Sequence, residues 1–218
     1  MNGLNLGIMV IELRKMYDVR LIIKIGGIND MKIFFDTEFT GLHKETTLIS
    51  IGLISELGDK FYAEFNDYDK SQVDDWIHDN VINNLMYESS GNDYNTPDWF
   101  HWGSSEFIKE KLLKWLSQWK TIEWVSDVCH YDFVLLIDLL YENATNMPYG
   151  KINTSCHDIN QDIADFYGIS EIEAFDLSRE KILQSENILV KGDKHNALYD
   201  AKVVKEIYTN VINKLVLE

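Results

Sequence analysis

Apolar residues fall in runs whose period changes along the chain, and each change marks an element. "KIFFDTE" (32–38), "TLISIGLISE" (47–56) and "KFYAEF" (60–65) read as buried strands, with short turns such as Leu57-Gly58-Asp59 between them. Turns that short join antiparallel neighbours, so the first three strands form a meander. A helical pattern follows over 73–88, then a polar, aromatic loop, "SSGNDYNTPDWFHWGSS" (89–105). A second helix is expected over about 105–119, capped by Ser104 or Ser105. "TIEWVS" (121–126) reads as a fourth strand, "DFVLLIDLLYEN" (132–143) as a helix and "NTSCHDI" (153–159) as a fifth strand. Further helices close the chain, the last starting near Ala197. A meander followed by β-α-β alternation specifies an α/β fold, a mixed five-stranded sheet with helices packed on it.

Residues 1–30 precede this order and are treated as an N-terminal extension to a domain spanning 31–218. Within them "VRLIIKIGG" (19–27) reads either as an extra edge strand or as an upstream-start artefact, with synthesis beginning at Met31.

Composition narrows the class. With 218 residues and 45% hydrophobic positions the chain can bury one sizeable core. Its two cysteines, Cys129 and Cys156, are too few for a disulfide framework, which points to a reducing compartment. No apolar run approaches the length of a membrane span, so a cytoplasmic protein without a membrane partner is expected. The formal net charge of −16 argues against a protein that coats nucleic acid electrostatically. It does not exclude an enzyme that grips a few nucleotides.

Three acidic segments carry the candidate chemistry. In a strand, residues i and i+2 share a face, so Asp36 and Glu38 project together and repel each other unless a cation lies between them. A strand end reaching solvent is the plainer reading of this pair alone. Asp132 shares a helix face with Leu135, Leu136 and Leu139, which would pack on the sheet, although acids are also common at helix starts. Asp127 suits a turn after the fourth strand, and His130 lies off that apolar face. Asp200 heads a stripe continued by Val204, Ile207, Val211 and Leu215. Asn196 is the expected N-cap of that helix, which leaves His195 on the preceding chain. Taken alone, His195 reads as a surface histidine. Four core-directed carboxylates and no cysteine among them favour Mg²⁺ or Mn²⁺. Two such ions about 3.5–4 Å apart are the usual clamp for phosphodiester hydrolysis, and a histidine can take the proton of the attacking water.

The order Asp36-Thr37-Glu38, then Asp132, then His195-Asn196-Ala197-Leu198-Tyr199-Asp200 resembles the DEDDh branch of the ribonuclease H-like (DnaQ-like) 3′–5′ exonucleases. The resemblance spans 31–218, and its size and strand order are similar to the small stand-alone bacterial and phage exoribonucleases. It implies a ribonuclease H-like sheet with helices on both faces. It implies that Asp36, Glu38, Asp132 and Asp200 hold two Mg²⁺ ions, for which Mn²⁺ substitutes, with His195 as general base. Phe39, Thr40, Gly41 and Leu42 would line the 3′-terminal nucleotide. The expected partner is the 3′ end of single-stranded RNA, with DNA as the alternative, and a homodimer is expected because relatives often dimerise. Asp127 and Val128 stand where proofreading relatives often carry histidine or asparagine. A non-catalytic nucleic-acid-binding module of the same fold is the alternative from another class.

Other features have plain readings beside the chemical ones. Trp99, Phe100 and Trp102 either stack on bases or pack on the domain. Lys191, Lys194, Lys202 and Lys205 surround the third segment and could meet phosphate, while a solvated helix face accounts for Lys202 and Lys205. Cys156-His157-Asp158 is read as a strand end beside the site, since no second spaced pair accompanies it. Trp115, Leu116 and Trp119 form an expected core group.

Overall fold

The structure, a computed structural model, describes residues 30–87, 97–141 and 152–213. Six strands form one sheet: β1 (Asp30–Phe39), β2 (Leu48–Ser55), β3 (Lys60–Phe65), β4 (Phe100–Gly103), β5 (Thr121–Ser126) and β6 (Ile152–Asp158), in the order β4-β3-β2-β1-β5-β6. β1, β2 and β3 make the expected antiparallel meander. β5 joins β1 in parallel, and β6 joins β5 in parallel. The sheet thus has six strands where the sequence pattern indicates five. The sixth, β4, falls in the segment read as a loop and pairs in parallel with β3 from Tyr62 opposite Phe100 to Phe65 opposite Gly103. Four residues on a sheet edge are too few to show a period, so only the backbone pairing reveals the strand.

Seven helices are described: α1 (Asp75–Asn80), α2 (Ser105–Leu116), α3 (Cys129–Leu140), α4 (Ile159–Tyr167), α5 (Glu171–Asp176), α6 (Arg179–Ser185) and α7 (Ala197–Glu206). Several bounds differ from the pattern. α1 starts after Asp74, whose side chain accepts from Ile77 N–H, and stops at Asn80, followed by a short 3₁₀ turn. α2 is capped by Ser104 and ends at Leu116. α3 starts three residues before Asp132 and ends where Tyr141 turns extended.

β1 alternates between two cores. Ile33 and Phe35 face the layer of α2 and α3, with Trp119, Trp124 and Leu136, and Trp115 packs at its margin as expected. Phe34 faces the opposite layer, with Val125, Ile163, Val203, Val204 and Ile207. Helices therefore cover both faces, as expected. The aromatic segment packs against the domain: Phe100 is buried, Trp99 is partly buried and Trp102 stacks on Tyr87 with centroids 4.2 Å apart. Residues 1–29, including "VRLIIKIGG", and Leu215 lie outside the described residues.

Candidate active site

Asp36 and Glu38 leave β1 on the α7 face, one register step to either side of Thr37. α7 crosses that face where Gly52 of β2 pairs with Asp36. A Cβ at Gly52 would lie 2.2 Å from Leu198 N and 2.4 Å from Ala197 O, so only glycine lets the first turn of α7 rest directly on the sheet. That contact brings Asp200 to Asp36. Asn196 caps α7 as expected, accepting from Tyr199 N–H at 3.2 Å.

Asp132 reaches the same place from the opposite layer. It sits in the first turn of α3 and bends over the end of β1, where it is 4% exposed. Thr37, which points away from Asp36 and Glu38, donates its N–H at 3.2 Å and its hydroxyl to Asp132 Oδ1. Ser126 donates to Oδ2 at 3.4 Å. The alternation that places Asp36 and Glu38 together thus also supplies the clamp for Asp132.

His195 takes a left-handed conformation (φ 63°), uncommon among residues other than glycine. Its N–H donates to Asp200 Oδ2 at 2.8 Å, and Nδ1 lies 3.9 Å from Glu38 Oε1. Trp76 meets its ring edge-on at 5.2 Å. The adjoining chain is tied down: Asn84 donates to Lys194 O at 2.9 Å, and Asn196 donates to Tyr62 Oη and Asn84 O.

Charge is the main feature of the cluster. Burial, then the charges of Asp132, Asp200 and Glu38, pushes the Asp36 carboxyl well above the ordinary range. Glu38 rises for the same reasons, against a pull downward from Lys194. Burial carries Asp132 to about 7, with Thr37 and Ser126 pulling it back. Burial and Asp127 carry Asp200 to about 7. Asp36 Oδ2 is sealed from solvent without a hydrogen-bond partner among the described residues. Such a carboxylate is costly unless a cation accepts its charge. Burial and the Lys194 ammonium hold the His195 imidazole below its ordinary value, so it is neutral at pH 7.

These residues line one cleft of about 700 Å³. Phe39, Gly41 and Leu42 form part of its wall, with Trp76 and Tyr131. Thr40 does not: it is 2% exposed, and its hydroxyl accepts from Thr47 N–H at 2.9 Å and donates to Gln72, holding the turn after β1. Lys194 lines the cleft, whereas Lys205 is half-buried and donates to Ser55 O at 2.9 Å, so it does not belong to a solvated face. Gly52, Trp76, Arg179 and the ion pair of Asp127 were not singled out from sequence. Asp127 pairs with Arg179 Nε at 3.2 Å, a contact 52 residues apart that no local spacing shows. A glycine inside a strand pattern is a usable sign of close backbone approach, and it points to Gly52.

The 3′–5′ exoribonuclease Rv2179c-like domain matches residues 31–212. The chain belongs to this family. The Rv2179c-like domain therefore covers the whole described sheet except Asp30, and the chain is a 3′–5′ exonuclease, a phosphodiester hydrolase. No curated protein matches it in sequence. Among solved structures it is similar to the nuclease domain of 3′hExo, a DEDDh family member bound to rAMP, with TM-score 0.58, 12% identity and coverage of 85% of this chain and 95% of that one. It is also similar to a 3′-exonuclease described for 3′-end-specific recognition of histone mRNA stem-loop, with TM-score 0.59, 13% identity and coverage of 92% and 71%. A third likeness is to S. pombe Pop2p in its Mg²⁺- and Mn²⁺-bound form, with TM-score 0.53, 16% identity and coverage of 95% and 91%. At these identities the likenesses establish the ribonuclease H-like fold. No helix among the described residues is long and apolar enough to cross a membrane.

Proposed function

We propose that the cleft removes nucleotides from the 3′ end of single-stranded RNA, using two Mg²⁺ ions held by Asp36, Glu38, Asp132 and Asp200, with Mn²⁺ able to replace them. The observation that carries this reading is Asp36 Oδ2, without a hydrogen-bond partner among the described residues, amid three more carboxylates, all raised by burial. An all-oxygen donor set of this charge fits hard divalent cations. Bound ions supply Lewis-acid activation of water and charge neutralisation at the leaving oxygen.

The chain's own residues do the rest. The neutral His195 imidazole accepts the proton of the attacking water, and the residue is held to the cluster by its backbone N–H, which donates to Asp200. Phe39, Gly41 and Leu42 pack against the terminal nucleoside, and the Lys194 ammonium faces the phosphate. The RNA preference draws support from the family description and from the rAMP carried by 3′hExo. The catalytic unit is taken as 31–218, since β1 starts at Asp30 and the family match starts at 31.

The test is digestion of matched 5′-labelled RNA and DNA with Mg²⁺, Mn²⁺ or EDTA. A metal-dependent ladder shortening from the RNA 3′ end, absent with Asp36→Asn and His195→Ala, is the expected result. A ladder on DNA alone overturns the substrate, and products in EDTA overturn the metal assignment. Light scattering of the same preparation tests for the homodimer.

A further inference from the structure

At the first turn of α3 lies a second group of side chains of metal-ligand type, with different donors from those of the cleft. One ligand atom each from Cys129, His130 and Asp158 lie within 4.8 Å of one another. The segment Cys156-His157-Asp158 gains from the fold the spaced partner it lacks in sequence, because β5 and β6 bring Asp158 alongside Ser126. His157 turns away and pairs with Asp162 at 2.5 Å.

The carboxylate is presented by one oxygen. Asp158 Oδ1 accepts from Asn160 N–H and from Asn160 Nδ2, both at 2.9 Å, while Oδ2 faces Cys129 Sγ at 3.6 Å. Asn160 is fixed in turn by Asp127 O and Arg179. Supporting bonds of this kind orient a ligating carboxylate in metal sites. The Cys156 thiol donates to His157 O at 3.8 Å, and neither cysteine is in a disulfide. The helix that begins here has no side-chain cap: Val128 stands at its N-cap position.

We propose that Cys129, His130 and Asp158 bind one Zn²⁺ ion that clamps the start of α3 to the end of β6. A thiolate, an imidazole and a single carboxylate oxygen make a mixed set that suits zinc better than magnesium. Three protein ligands leave a fourth position for water or for the neighbouring Cys156. Binding requires Cys129 to give up its thiol proton to solvent, with His130 neutral. The ion fixes the turn that carries Asp132 three residues later, so it acts as a positioning element. The assignment does not depend on the hydrolytic reading of the cleft.

Cobalt distinguishes this site from the carboxylate cluster, because only a thiolate ligand produces a sulfur-to-cobalt charge-transfer band. The full chain, reduced and stripped with chelator, is titrated with Co²⁺. The expected band saturates at one equivalent, is bleached by Zn²⁺, disappears in Cys129→Ser and persists in Asp132→Asn. His130→Ala, at an exposed position that leaves packing intact, weakens Co²⁺ binding by about tenfold or more. Absence of the band in the wild-type chain, its survival in Cys129→Ser, or unchanged affinity in His130→Ala overturns the proposal. A thiol count showing Cys129 and Cys156 joined as a disulfide in protein purified without reductant or chelator also overturns it.

Discussion

Glu38 and Glu64 stand in one row across the sheet, since Ser50 pairs with Glu38 on one side and Glu64 on the other. They are the same residue type, two strands and about 10 Å apart. Glu64 is 1% exposed and accepts from the Tyr62 hydroxyl at 2.8 Å, Met86 N–H at 2.5 Å and Tyr87 N–H at 3.0 Å. Its charge is spread over donors supplied by the fold. Glu38 has instead a histidine at 3.9 Å and two further carboxylates that raise its pKa. Buried acid alone therefore signals nothing. A carboxylate matched by protein donors on both oxygens holds structure together, whereas a cluster in which Asp36 Oδ2 has no donor among the described residues awaits a cation.

Substitutions should separate the two. The largest effect is expected for Asp36→Asn, with kcat falling on the order of 10³-fold, as for loss of a charge-stabilising group. Its melting temperature in EDTA should rise because one repelling charge is gone; a lower one would break the contrast. His195→Ala should lower kcat by about 100-fold while leaving the melting temperature near wild type. Glu64→Gln should do the reverse, costing about 2–3 kcal/mol in urea unfolding while the folded molecules keep their activity.

Metal and pH sharpen the contrast further. Asp132 and Asp200 titrate near 7 in the folded chain and near 3.8 unfolded, so folding favours their protonated forms. Their contribution to stability is present below pH 4 and is lost as pH rises through 7. In EDTA the melting temperature should fall between pH 5 and 8, and Mn²⁺ should remove most of that fall. A flat metal-free profile would contradict the charge assignment. The smallest effect is expected for Trp102→Ala, which loses its stacking on Tyr87 and about 1 kcal/mol, with exonuclease rates unchanged.

The acids were legible because each belongs to a local pattern: alternation in β1, a helix face in α3 and a stripe in α7; His195, a surface histidine by local pattern, entered through the family resemblance. The meander was legible from its short turns. What escaped depends on contacts between distant segments. Arg179 is defined by Asp127, the Cys129 group by Asp158, and β4 by the backbone of β3. The role expected for Thr40 failed for a related reason, since its hydroxyl is taken up by Thr47 and Gln72. Neighbours in sequence of a site residue need not face the site, because a turn uses some of its side chains on itself.

Gly52 sets how rigid the centre is. Where two layers meet through side chains, rotamer changes let the gap widen or narrow. At Gly52 the layers meet backbone to backbone, and nothing between them can rotate. The spacing between the acids of β1 and the acid of α7 is thus fixed by the peptide units themselves. Any residue larger than glycine must lift the helix and carry Asp200 with it.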